Sequence, residues 1–300
     1  MALPTMALHD HTCDPESVKI PKRIEPLVED GLVDAVMRQL MSGKEAMVYV
    51  VRCGEAIRCA KVYKEANKRG FHKAASYTEG RKTKSSRHAR AMGKGTRYGR
   101  KAQEDAWQSA EVDALYRLAA AGVRVPQPYH FMEGVLLMEL VTDANGDAAP
   151  RLNDLTLSAA QAREYHAFLI MQVVRMLCAG IVHGDLSEYN VLVDSAGPVI
   201  IDLPQAVDAA GNNNACSMLE RDVNNLAAYF GRFAPEILTT DYGMEIWSHY
   251  QNGTLHPEIE LTGRYQRNNK PTDVNSVMRE IDAALKEELA RQRYKQEMEQ

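Results

Sequence analysis

The chain has 300 residues, enough to bury a substantial core, and its 45% hydrophobic and 25% charged residues exclude a chain disordered along its whole length. Its apolar runs, such as 135–138, are too short to span a bilayer, and residues 1–17 lack the basic start and apolar centre of a secretory signal, so the expectation is a cytoplasmic protein with no membrane partner. The net charge of −4 hides twelve Lys or Arg against one acid, Glu79, between residues 68 and 101, so the remainder is acidic and the basic island suggests a local polyanion contact.

Residues 1–23 read as a flexible polar tail. Over 24–41 the apolar positions Leu27, Leu32, Val33, Val36 and Leu40 predict one amphipathic helix, with Pro26 in its first turn and Gly31 as a break point. Residues 47–51 and 57–63 are short, apolar and rich in β-branched side chains. Cys53-Gly54-Glu55 between them signals a hairpin. From 65 to 101 no apolar period is found, which predicts a mobile basic loop over about 66–103. A helix is predicted over 107–121, with Val112, Leu115 and Leu118 on one face and Gly122 as the stop. Residues 135–141 read as a strand, and 158–180 as a helix opened by Ser158 and closed by Gly180. Two small strands, 191–193 and 199–201, flank the turn Asp194-Ser195-Ala196-Gly197, and helices are predicted at 218–233 and 274–298. Five scattered cysteines (Cys13, Cys53, Cys59, Cys178, Cys216) form no CxxC pair and read as reduced structural thiols. Strands with one helix come first and helices dominate afterwards. The expected class is therefore α+β, with a helix and a β-rich N-lobe over 24–139, a helical C-lobe over 140–268 and a helical extension over 269–300.

The segment His183-Gly184-Asp185-Leu186-Ser187-Glu188-Tyr189-Asn190 is followed twelve residues later by Asp202. If 194–197 turns the chain, Asn190 and Asp202 face each other at the open end of the hairpin. An amide oxygen and a carboxylate so placed suit a hard cation, Mg2+ first and Mn2+ as the alternative. Asp185, on the loop leading in, can orient or accept the proton of an attacking hydroxyl, which with positioning and charge neutralisation is what phosphoryl transfer requires. The order H-x-D-x-x-x-x-N then D matches the catalytic and metal loops of kinases, with His183 as a scaffold residue. Lys61 follows the run 56–60, where a strand lysine reaches nucleotide phosphates. Its expected partner is Glu111, with Glu104 as the alternative. Met138, Glu139 and Leu140 end the strand joining the lobes, and their backbone would offer adenine a donor and an acceptor. ATP is the implied cofactor.

The segment Ser42-Gly43-Lys44-Glu45-Ala46-Met47-Val48-Tyr49 is not the GxGxxG loop of ordinary kinases. It resembles the short phosphate loop of the RIO family, close to G-K-E-x-x-V-Y. Residues 183–190 resemble the same family's catalytic loop, with Ser187 where ordinary kinases carry lysine. Asp202-Leu203-Pro204-Gln205 resembles its metal loop, and 221–230 a RIO helix beyond it. The resemblance covers roughly 24–235 and implies a bilobal kinase-like fold without an activation segment. It further implies an atypical serine/threonine protein kinase or ATPase, using ATP and a divalent metal and labelling itself by autophosphorylation. It also implies an aspartyl-phosphate intermediate, which would fall on Asp202, and through the family's role in small ribosomal subunit maturation an RNA or ribosomal partner for the basic loop. Ser76, Thr78, Thr83, Ser85, Ser86 and Thr96 in that loop are candidate autophosphorylation sites. Pro204 restricts Leu203 to extended geometry, which argues against a mobile switch. Ala234-Pro235-Glu236 reads as coincidental, because 218–233 is predicted as one helix. The roughly forty residues before Gly43 are too few for the winged-helix domain of the second RIO subfamily, so the first fits better, although Leu203-Pro204-Gln205 leans toward the second. Two alternatives stand beside this reading. One is a small-molecule kinase of the aminoglycoside or choline type, which shares His183-Gly184-Asp185. The other is an RNA-binding pseudokinase.

Overall fold

A computed structural model describes residues 20–43, 45–64 and 97–265, with backbone alone for 97–107 and 109. Residues 1–19 of the tail expected over 1–23, Lys44, most of the predicted basic loop and the predicted helix over 274–298 lie outside the described residues.

The front of the molecule is one antiparallel sheet in the order β1-β2-β3-β5-β4. Its strands are β1 (Ala35–Ser42), β2 (Ala46–Cys53), β3 (Ala56–Tyr63), β4 (Pro128–Met132) and β5 (Val135–Glu139). The helix predicted over 24–41 shrinks to α1 (Glu25–Glu29), and from Ala35 on that segment is strand. Gly31, at φ +71°, turns the chain after α1, a conformation glycine adopts without penalty. Val36 and Leu40 are four residues apart, a spacing that serves a helix and a strand alike. Register shifts between Val36 and Arg38 and between Gln39 and Met41 further blur the alternation of β1. Strand β4 was not expected. It is short, opens on a proline and sits at the sheet edge, where such a strand is tolerated. Glu133 (φ 49°) and Gly134 (φ 75°) make its tight turn into β5.

Strand β3 shows why the sheet can carry a site. Ala60 and Val62 pack with Ile24, Leu27 and Val33 on one face, while Tyr63 packs with Val112 and Leu136 on the other. Lys61 shares the second face by the two-residue period of a strand. That face meets α2 (Arg97–Ala120), which begins inside the predicted loop and stops at Gly122, at φ +72°.

The back of the molecule is helical. Helix α3 (Ala159–Cys178) opens on a capping box between Ser158 and Gln161 and closes before Gly180, as expected. The predicted hairpin is β7 (Val191–Asp194) with β8 (Gly197–Ile200). A two-residue pair, β6 (Ile181–Val182) with β9 (Val207–Asp208), is too short to leave a periodic signal. Helix α4 (Ala215–Phe230) ends before the predicted 233, and Pro235–Thr239 forms a separate 3-10 turn. Helix α5 (Tyr242–Gln251) was not expected. Leu118, Leu169, Leu177, Leu186 and Phe230 form one core that joins α2, α3, α4 and the loop after β6. Each such buried side chain contributes about 1.5–3 kcal/mol. Cys53, Cys59, Cys178 and Cys216 are free thiols, and burial pushes Cys59 up to about 12. No helix among the described residues is long and apolar enough to cross a membrane.

Candidate active site

Lys61 on β3 lies opposite Val48 on β2. Its Nζ is 2.6 Å from Glu111 Oε1 on α2 and 3.2 Å from Asp202 Oδ1 beyond β8. Burial disfavours the ammonium, but Glu111, Tyr63 and Asp202 outweigh it and hold the Lys61 pKa well above its ordinary value. The lysine is therefore a fixed positive charge. Glu111 is a carboxylate that reaches it, whereas the side chain of Glu104 lies outside the described residues. Ser42 ends β1, and the loop after it is tight: the Gly43 N–H donates to Ala46 O at 2.9 Å and the Lys64 N–H to Glu45 O at 2.8 Å. Lys64 Nζ also donates to Gly43 O at 2.5 Å.

Met138 and Glu139 end β5 and Leu140 follows. One of the three backbone amides expected to face adenine is already engaged. The Glu139 N–H donates to Gln127 O at 2.8 Å, and its carboxylate accepts the Gln127 N–H at 3.0 Å. The Glu139 amide is spent on the β4 side and is not open to an adenine ring.

The second half of the site is the loop between β6 and β7. Ile201 N–H donates to Asn190 O at 3.0 Å, which closes the β7–β8 hairpin and brings residues 190 and 202 side by side. Asp202 adopts φ +66°, a left-handed conformation uncommon for a side chain other than glycine and frequent at functional sites. Asn190 Nδ2 donates to Asp185 O at 2.8 Å, so the amide oxygen is the atom left for a cation. One amide oxygen and one carboxylate fit a divalent ion whose remaining positions are filled by phosphate and water. Among the described residues there is no group of three or more His, Cys, Asp or Glu suited to a metal.

His183 braces the loop, as expected. It is buried, its Nε2 faces Ile201 O at 3.1 Å, and its Nδ1 accepts the Asp185 N–H at 3.3 Å. The carbonyl requires a proton on Nε2, which fixes the neutral tautomer. Burial lowers its pKa, in keeping with that form. Burial raises the pKa of Asp185, and the neighbouring Asp202 charge adds to the rise.

Sequence reasoning missed the support beneath this loop. The Asp222 carboxylate on α4 accepts the Gly184 N–H at 2.7 Å and the Leu186 N–H at 3.1 Å. Burial pushes its pKa up to about 7 against the pull of those two donors and Arg221. Arg221 donates to Gly184 O, and Asn225 Nδ2 to Leu186 O at 3.1 Å. The available signal was three polar residues, at 221, 222 and 225, on a helix that is otherwise mostly apolar.

A family model described as the RIO domain matches residues 47–242. The chain belongs to the RIO family. It is 36% identical over 215 residues to the RIO-type serine/threonine-protein kinase Rio1 of Haloferax volcanii, covering 70% of this chain and 68% of that protein. It is 30% identical over 227 residues to the serine/threonine-protein kinase RIO1 of Chaetomium thermophilum, covering 71% of this chain and 42% of the relative. With the human RIO1 kinase the identity is 30% over 212 residues, covering 70% of this chain and 35% of the relative. The chain thus spans less than half the length of the two eukaryotic relatives. These RIO proteins all carry the name of the first subfamily, the one expected for this chain. A RIO domain is kinase-like, and its family implies ATP and a divalent metal.

Proposed function

We propose that this RIO chain transfers the γ-phosphoryl group of ATP to serine or threonine hydroxyls, its own included. The observation that carries this reading is the position of Lys61 Nζ, 2.6 Å from Glu111 and 3.2 Å from Asp202. One fixed cation sits between the carboxylate that anchors it and the carboxylate that takes the metal.

In this reading Glu111 holds the ammonium of Lys61 toward the α- and β-phosphates, and the loop from Ser42 to Val48, with Lys44 and Glu45, covers them. Asn190 Oδ1 and the Asp202 carboxylate hold magnesium or manganese, which neutralises charge on the phosphates. Asp185 orients the acceptor hydroxyl and takes its proton. The hydroxyl oxygen bonds to the γ-phosphorus as the bond to the β–γ bridging oxygen breaks, and ADP leaves. Its raised pKa makes Asp185 a better proton acceptor than an ordinary aspartate. Met138, Glu139 and Leu140 flank the adenine, with a donor other than the Glu139 amide. An RNA or ribosomal partner for residues 68–101 rests on their charge alone.

The test is incubation of the chain with radiolabelled ATP and magnesium. Label should appear on serine or threonine of the chain and vanish in Lys61→Ala and Asp185→Ala. Label found on an added aminoglycoside or choline, with none on protein, would overturn the reading.

A further inference from the structure

We propose that Tyr63 is a positioning residue for phosphoryl transfer, its hydroxyl holding Glu111 in place when Lys61 turns from the carboxylates to the nucleotide. The inference rests on the phosphotransferase reading.

Tyr63 is 2% exposed, and its hydroxyl has no hydrogen-bond partner. Buried hydroxyls without partners are rare and costly, so such a group invites an explanation. Everything else about the residue is fixed. Its N–H donates to Gly134 O at 3.0 Å and its carbonyl accepts from Arg23 Nη1 at 2.8 Å. Its ring meets Phe131 edge-on at 6.3 Å, and Lys61 Nζ lies 5.4 Å from the ring centre. Only the O–H rotor is free. Tyr63 and Lys61 are two residues apart on β3 and share the face turned to α2. After burial, the charge of Glu111 is the strongest influence raising the phenol pKa, and a side-chain contact with Glu111 adds to the rise, so the carboxylate stands close by.

Lys61 engages Oε1 of Glu111, which leaves Oε2 as the other acceptor. A nucleotide competes for Lys61, and its metal competes for Asp202. Glu111, whose side chain is 8% exposed, then loses part of its counter-charge away from water. A hydroxyl already ordered beside it supplies a replacement donor at the cost of one rotation. The arrangement with Lys61 on Glu111 and Asp202 leaves the hydroxyl unsatisfied, and the nucleotide-loaded one would satisfy it.

Tyr63→Phe removes the oxygen alone. The nucleotide-free variant should melt no lower than the parent, because no bond is lost. Its autophosphorylation kcat should fall by about ten- to hundredfold, as expected for one hydrogen bond to a charged group. The rise in melting temperature produced by magnesium with a non-hydrolysable ATP analogue should also be smaller than in the parent. In a Glu111→Gln background the same change should add little, because the two groups act together. An equal rate with an equal nucleotide-induced shift overturns the proposal. So does a lowered nucleotide-free melting temperature with the rate intact, which marks a purely structural residue. If the parent itself transfers no phosphoryl group, the phosphotransferase reading fails, and the nucleotide-induced shift still decides the role of Tyr63.

Discussion

Replacing Asp222 tests whether the loop bearing Asp185 is held from beneath. The carboxylate is 2% exposed and accepts two backbone N–H groups, from Gly184 at 2.7 Å and Leu186 at 3.1 Å. In Asp222→Ala both donors are stranded in the interior. Each stranded donor costs about 1–3 kcal/mol, so the loss should be about 2–6 kcal/mol. That is a large part of the roughly 5–15 kcal/mol that holds a domain folded. Asp222→Asn keeps one acceptor oxygen and sets an NH2 against the other N–H, so it should fall between the parent and the alanine variant. Urea unfolding followed by circular dichroism gives the order. Folded protein should also lose phosphoryl transfer about hundredfold, because a displacement of about 1 Å at Asp185 spoils alignment with the acceptor. Nucleotide binding should be nearly unchanged, since Lys61 and Glu111 do not touch α4. An Asp222→Ala protein within about 0.5 kcal/mol of the parent and equally active would refute the reasoning, because surface substitutions have effects of that size.

Three further outcomes are expected. Lys61→Ala should cut transfer by more than about hundredfold and weaken nucleotide binding, read by single-turnover kinetics and calorimetry; an unchanged rate would remove the lysine from the site. Asp185→Ala should abolish transfer while an ATP analogue binds with nearly the parent affinity, and an equal loss of affinity would give the residue a different job. His166 is buried against Phe230 and Tyr242, its Nε2 lacks a partner, and burial lowers its pKa from 6.5 to about 4. The unfolded chain binds the proton more readily, so stability should be level above pH 6.5, fall by about 3 kcal/mol as pH drops toward 4, and level again below. His166→Phe should flatten that limb in urea melts across pH, and parallel limbs would show that other groups cause it.

The parts of the site that could be read in advance are those whose geometry is set by chain spacing. Twelve residues from Asn190 to Asp202 with a turn at 194–197 leave little freedom: the hairpin must return beside its start, and the Ile201 to Asn190 hydrogen bond shows that it does. Lys61 was legible because an apolar strand interrupted by one lysine places that lysine on a defined face. Segment 24–41 misled because Val36 and Leu40 satisfy two periods at once, and pairing with β2 decided between them. The Glu139 amide could not be assigned in advance, because its partner Gln127 immediately precedes a strand, β4, that left no clear signal.

Asp222 and Tyr63 illustrate a different kind of blindness. A carboxylate on a helix ordinarily means a solvated face, and a tyrosine after an apolar strand ordinarily means core. What distinguishes these two is whether their polar atoms find partners, and that depends on residues distant in the chain. Asp222 meets donors 36 and 38 positions earlier, and Tyr63 shares a strand face with Lys61, whose partner Glu111 is 50 positions on. The contrast between them is physical as well. Asp222 is satisfied by the backbone of the loop itself and needs no ligand to support it. The Tyr63 hydroxyl is not, so its contribution must come from a state in which the charges around Lys61 have been redistributed. A static support and a conditional one would let the Asp185 loop stay rigid while the lysine end adapts to the phosphates it receives.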